Sequence, residues 1–399
     1  MGLFLTQAPS FLASQRRLQA HKARTNAHTL FGVTPIPCDH HLRPRLAPIA
    51  PGHGDPVFLA VFERLAQHHL VESVRRRGEQ LLVALDGTTS FASQAIRCPT
   101  CLTRQRSNGH TLSDHAAITP VVVGPGRSQV IAFPPEDSMP HDGHATQDSE
   151  QMAGPRWIQT QAAVLAPHQV TVLGDELYRT QPWCALALAQ GCNCILVCQP
   201  DAPPQLSERV AFWPANDGIA AGECRHWHGR CTAVSLDRVR HDVLLGDGKD
   251  AVSVHGFEIT VVNATTGAPL YHNSFLTHHR VTGEHVAAVV QAGRGRWKSE
   301  NEHNHVLKTK GYQGEPNFGH GKESLSAVMC SLTLLALLCH TVLAWREDKS
   351  ALLRRVLARR QTFFDDIRAL TRSLVFDSWD HLIDFMLRDL ELQSALDTG

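Results

Sequence analysis

Two short apolar runs, Leu81-Leu-Val-Ala-Leu-Asp86 and Val170-Thr-Val-Leu-Gly-Asp175, each end in a carboxylate. That is the pattern of a buried strand with a polar residue at its exit. A third acid, Glu300, lies in Arg294-Gly-Arg-Trp-Lys-Ser-Glu-Asn-Glu-His-Asn-His-Val-Leu-Lys-Thr-Lys310, a stretch that mixes cations with acids. Read as one helix capped by Gly311, it places residues four apart on one face, so Arg296, Glu300, Asn304 and Lys308 form a single polar stripe. Glu302 points about 200° away around that helix, where it pairs with Lys298. Three carboxylates brought together repel one another unless cations neutralise them. Hard divalent ions, Mg²⁺ or Mn²⁺, do so with oxygen ligands. Two such ions about 4 Å apart activate a water or a 3′-hydroxyl and stabilise the leaving oxygen of an in-line phosphodiester displacement. Arg296, Lys298, Lys308 and Lys310 then suit the phosphates of the substrate. Each feature alone also has a plainer reading: an Asp after a strand serves turns and helix caps, and a charged stripe is often a solvated face. No Gly-rich phosphate loop, Gly-x-Ser-x-Gly or His-Glu-x-x-His offers a competing chemistry.

The elements that must position these acids follow from patterning. The chain has 399 residues, 43% hydrophobic and 19% charged, a globular balance with room for two or more cores. Lys+Arg and Asp+Glu both number 38, so any nucleic-acid contact must come from local clusters rather than a global field. Residues 1–80 read as a helical region, with a Pro-rich loop around Pro35–Pro51 and an amphipathic segment from Pro56 to about Arg77. The strand ending at Asp86 comes next. Residues 120–124 and 129–133 read as a hairpin, 149–166 as a helix, 170–175 as a fourth strand, 181–190 as a helix and 194–198 as a fifth strand. Strand, strand, strand, helix, strand, helix, strand fits a ribonuclease-H-like α/β fold with a mixed five-stranded sheet. Its first and fourth strands lie side by side and present Asp86 and Asp175 together. Residues 199–282 read as a β-rich insertion, with the core split into 81–198 and 283–345. Residues 346–399 form a C-terminal helical region whose Arg354, Arg355, Arg359 and Arg360 make a basic amphipathic helix.

The chain resembles the DDE transposases of bacterial insertion sequences with an inserted β domain. The matching pieces are Leu85-Asp-Gly-Thr88, Cys98-Pro-Thr-Cys101, Gly174-Asp-Glu-Leu-Tyr178, Arg296-Trp-Lys-Ser-Glu-Asn-Glu302, Leu307-Lys-Thr-Lys-Gly-Tyr312 and Asn317-Phe-Gly-His-Gly-Lys322. The resemblance runs from near residue 3 to beyond 390. The resemblance implies a ribonuclease-H-like core with Asp86, Asp175 and Glu300 as catalytic acids, using divalent metal to cut and rejoin DNA at transposon ends. It also implies DNA as partner, a homodimer assembled on that DNA, and a cytoplasmic, nucleoid-associated location. Two positions depart from the related signature. A Tyr expected three positions before Arg296 is Gly293, and a Lys expected seven after Glu300 is Leu307, with Lys308 next. Met1 falls inside a segment that follows further helical sequence in the family, so a truncated start is expected.

Other residues carry weaker signals. Cys98-x-x-Cys101, with His110 and His115 downstream, matches half of a structural zinc site. The 11 cysteines are odd in number and scattered through apolar stretches, as expected of reduced thiols in a cytosolic protein rather than a disulfide framework. The 25 histidines are mostly isolated, and His320, in a Gly-rich loop, serves either a turn or the site. Met1–Leu12 lacks a basic n-region and directs no export. The apolar run 324–345 is interrupted by Ser331, Thr333, His340 and Thr341 and reads as a buried core helix, so no membrane partner is expected. Two functions remain: a metal-dependent transposase, or a catalytically inactive, truncated derivative that only binds DNA. Convergence of the three carboxylates to metal-bridging distance favours the first, and their separation the second.

Overall fold

The computed structural model describes residues 1–75, 80–106, 109–140, 150–198, 220–227, 230–246, 249–312, 321, 323–357 and 359–392. Its strands in chain order are β1 (Leu81–Ala84), β2 (Gly87–Ser93), β3 (Leu102–Gln105), β4 (Thr111–Ile118), β5 (Val121–Val123), β6 (Val130–Ala132), β7 (Glu136–Asp137), β8 (Val170–Gly174), β9 (Asn193–Cys198), β10 (Ala220–Trp227), β11 (Arg230–Leu245), β12 (Val252–Asn263) and β13 (Pro269–Thr277). Every residue of β1, β5, β6 and β8 is buried. This is why their sequences are continuous apolar runs rather than alternating ones: both faces of the sheet are covered.

The middle of the sheet runs β6-β5-β1-β8-β9. β5 pairs antiparallel with both β1 and β6, whereas β1, β8 and β9 are mutually parallel. The helices Glu150–Leu165 and Gln181–Ala189 lie in the crossovers between the parallel strands, as parallel pairing requires. β1 and β8 are in register from Leu81 opposite Val170 to Ala84 opposite Leu173, and the Leu85 amide donates to the Leu173 carbonyl at 2.9 Å. Asp86 and Asp175 therefore leave adjacent parallel strands at the same level.

Among the described residues the sheet has nine strands, not five. β13 pairs antiparallel with β9, from Thr277 opposite Ile195 to Ser274 opposite Cys198. Strands β12, β11 and β10 then continue outward as antiparallel neighbours. The free edge of β9 offers unpaired backbone groups, and the strand-rich segment satisfies them instead of forming a sheet of its own. A second, unexpected sheet has the order β2-β4-β3, with β7 on β4. It starts one residue after Asp86.

Three helical expectations change. The amphipathic segment from Pro56 to about Arg77 is two helices, Asp55–Gln67 and Leu70–Val74, separated at His69, where φ is 58°. The Pro-rich loop contains a helix, Asp39–Leu46, with Pro44 inside it. The basic tail is three helices, Asp348–Val356, Arg360–Ser373 and Trp379–Asp389, which enclose a small core around Leu353, Phe376 and Leu382. The apolar run is the helix Leu325–Arg346. Leu334, Leu335, Leu337 and Leu338 enter the main core, while Leu325, Val328 and Met329 pack with Phe4 and Phe11 on another side. Burial from two sides accounts for a helix that is apolar all round. By length and composition alone it could span a membrane, and 56% of its most apolar window is buried in the protein.

Candidate active site

Asp86 is fixed from both its backbone and its side chain. Its carbonyl accepts from the Thr119 amide at 2.9 Å, and its Oδ2 accepts from Asn304 Nδ2 at 2.8 Å. Thr119 Oγ1 in turn donates to Asn304 Oδ1 at 2.8 Å, so the amide is held with its nitrogen toward Asp86. Asp175 caps the short 3₁₀ turn Glu176–Tyr178, its Oδ1 accepting from the Leu177 amide at 2.9 Å. Burial above all lifts the Asp86 carboxyl to about 6; Arg296 and the Asn304 hydrogen bond pull it down, while Glu300 and Asp175 push it further up.

The stretch expected as one helix from Arg294 to Lys310 is broken. After the helix Val286–Gly293 come a 3₁₀ turn, Arg294–Arg296, a π-helical turn, Ser299–Asn304, and an α-helical turn, His305–Thr309. Gly311, at φ +91°, follows Lys310, the last residue of that run. A π turn accommodates an extra residue and is frequent at functional sites; here it buries Ser299, His303 and Asn304. Arg296, Glu300 and Asn304 still share a face. Arg296 Nη2 lies 2.8 Å from Glu300 Oε1, and its Nη1 lies 3.7 Å from Asp86 Oδ1. The side chains of Asp86 and Arg296 are 16% and 12% exposed, whereas that of Glu300 is 41% exposed. Glu300 therefore sits at the mouth of the site.

A fourth carboxylate joins them. Glu150 begins the helix Glu150–Leu165, and its Oε1 accepts from Tyr178 Oη at 3.1 Å. Burial raises its carboxyl to about 7, with Asp175 and Asp86 adding to the rise and Tyr178 and Arg296 opposing it. Its other oxygen lies where a Cβ on Gly87 would project. Nothing local in the sequence marks Glu150, because an acid in the first turn of a helix is ordinary capping chemistry. Gly87→Ala is expected to displace the flexible end of Glu150 at a cost under about 1 kcal/mol in stability. If Glu150 belongs to the working site, metal-dependent DNA cleavage should fall about 10-fold to 10²-fold in Gly87→Ala and also drop in Glu150→Gln. Unchanged cleavage rates in both variants would remove Glu150 from the site.

The expected phosphate-binding cations divide. Lys308 lines a small cleft with Thr88, Ser90, Thr119 and Cys330, and Lys310 is exposed. Lys298 turns the other way: its ammonium donates to the Arg127 carbonyl, and Glu302 is the charge beside it. Glu302 faces a separate cleft with Gln129, Tyr312, His340 and Arg360. Cys98 and Cys101 lie at the base of the second sheet with His115, whereas His320 falls outside the described residues.

The donor set is all oxygen, the kind hard divalent ions take, and burial keeps the Asp86 carboxyl raised despite Arg296 beside it. Among the described residues, the sets of three or more ligand atoms within 4.8 Å of one another are Cys98–Cys101–His115 and Cys184–Cys194–His278. Asp86, Asp175 and Glu300 are not such a set, so the convergence to metal-bridging distance expected of them is not met.

No protein-family model matches the chain, and no curated protein matches it. Among solved structures, a distant neighbour is the cryo-EM structure of a piggyBac transposase synaptic complex with hairpin DNA. It is 11% identical at a TM-score of 0.34, covering 84% of this chain and 59% of that one. Fold and site define a mixed α/β protein with flanking helices and a cluster of carboxylates at the C-terminal ends of two parallel strands.

Proposed function

We propose that the chain is a metal-dependent DNA transposase with a ribonuclease-H-like core, cutting and rejoining phosphodiester bonds at the ends of an insertion sequence. The observation that carries this reading is the in-register exit of Asp86 and Asp175 from β1 and β8, with Arg296 and Glu300 packed beside them. The sheet order β6-β5-β1-β8-β9 supports it: an antiparallel three-strand meander followed by two parallel crossovers is the arrangement expected of that core.

In this reading Asp86, Asp175 and Glu300 would hold Mg²⁺ or Mn²⁺. When bound, the ions supply an activated nucleophile and stabilise the leaving oxygen. The chain itself does the positioning. Thr119 and Asn304 fix the Asp86 carboxylate, the 3₁₀ turn after β8 fixes Asp175, and Arg296 orients Glu300. Arg296, Lys308 and Lys310 offer cations to the phosphates, whereas Lys298 is engaged at the Arg127 carbonyl.

A second reading, an inactive DNA-binding derivative, draws on two observations: the three acids do not form one ligand set, and Arg296 lies against both Asp86 and Glu300, the partnership expected where a guanidinium rather than metal neutralises the acids. The test is incubation of the purified protein with duplexes carrying the element's own ends, with and without Mg²⁺ or Mn²⁺. Strand cleavage that requires the metal and those ends is expected. Specific binding without cleavage would replace the first reading with the second.

A further inference from the structure

The turn Cys98–Cys101 is a tight loop between β2 and β3. The Cys101 amide donates to the Cys98 carbonyl at 3.2 Å, and the Cys98 amide donates to Cys101 Sγ at 3.3 Å. His115, on β4, brings its Nε2 to 3.5 Å from Cys98 Sγ and 3.6 Å from Cys101 Sγ, and the two sulfurs are 3.7 Å apart. For zinc–sulfur bonds of about 2.3 Å and a zinc–nitrogen bond of about 2.0–2.1 Å, tetrahedral angles place sulfur about 3.8 Å from sulfur and about 3.6 Å from nitrogen. The triangle has the edges of one face of a zinc tetrahedron.

We propose that Cys98, Cys101 and His115 form a structural zinc site, with the fourth position taken by a further donor. His115, rather than His110, is the third ligand: His115 is opposite Phe91 on β2, whereas His110 lies outside the strand, before Thr111. The ion is a clamp. It ties the loop between β2 and β3 to β4, the strand through which the whole second sheet is paired. That sheet is anchored at the Asp86 carbonyl through Thr119. Thr100 Oγ1 also donates to the Glu323 carbonyl at 3.4 Å, so the clamp reaches the start of the Leu325–Arg346 helix. Thiolate and imidazole donors favour zinc over the hard ions suited to the carboxylates, so the two sites select different metals.

Elemental analysis of the full chain, purified without chelator, tests the site. About one zinc per chain is expected. It should be lost in the double variant Cys98→Ser/Cys101→Ser, reduced in His115→Ala, and retained in His110→Ala and in Cys184→Ser. As a readout independent of the folding of the double variant, the wild-type chain is also reconstituted with Co²⁺, where a thiolate-to-cobalt charge-transfer band with intense tetrahedral d–d bands is expected. A wild-type chain with neither zinc nor that band overturns the proposal, as does metal that survives the Cys98/Cys101 change but disappears with Cys184→Ser. DNA cleavage enters neither readout, so this outcome and that of the transposase reading are separable.

Discussion

Asp86→Asn is expected to abolish metal-dependent strand cleavage, by about 10³-fold or more, while leaving DNA affinity largely intact. Asn keeps the shape of the side chain and an oxygen able to accept from Asn304, so the network with Thr119 survives. What disappears is the negative charge beside Arg296, and with it a carboxylate that would hold a divalent ion in the proposed reading. Arg296, Lys308 and Lys310 remain for the phosphates. Asp175→Asn should behave alike. Asn is preferable to Ala at this position because the side chain caps the Glu176–Tyr178 turn, and losing such a cap costs about 0.5–2 kcal/mol. The check is a gel assay of cleavage beside a binding titration, and cleavage retained in either variant would sink the two-ion assignment.

Glu300→Gln should lose cleavage while Glu302→Gln keeps most of it. Glu300 pairs with Arg296 and stands beside Asp86, whereas Glu302 opens into the cleft with Tyr312 and His340, near Lys298. Glu300→Gln also leaves Arg296 with Asp86 as its remaining carboxylate, which strengthens the neutralisation of that acid by an arginine instead of a metal. Removing Glu302 costs only a surface contact, worth about a few tenths of a kcal/mol. Both variants should unfold at nearly the wild-type denaturant concentration, so a loss of cleavage reports on the site. The reverse pattern of activities would mean that the π turn presents the other acid to DNA.

The two strand-end acids were legible because a strand buried on both faces must be continuously apolar, and a polar residue at its end stands out. Leu81–Asp86 and Val170–Asp175 meet that condition, and the helices between the parallel strands have long enough patterns to read. The second sheet was not legible. β3 buries Leu102 and exposes Thr103, Arg104 and Gln105, so it carries no apolar run, and its partner β4 is found only through non-local pairing. The extension of the main sheet was hidden for the same reason: β13 reads as a strand locally, but nothing local says that it pairs with β9. The π turn at Ser299–Asn304 has no residue signature of its own. The pairing of Arg296 with Glu300 survived that error because it depends on their proximity in space, and a turn with one extra residue still allows it.

The pairing of β13 with β9 also sets a schedule for synthesis. β9 is complete at Cys198, but the strand that covers its edge begins at Pro269. At about 5–20 residues per second, roughly 4–14 seconds of elongation separate the two. During that interval the nascent chain carries an apolar strand edge with no partner of its own, the kind of edge that other chains can join. The same delay keeps the acids apart: Glu300 leaves the ribosome after the whole insertion, so Asp86 and Asp175 spend the growth of the chain without their third partner. A nascent chain of this protein is thus exposed to aggregation before it can acquire the complete acid site.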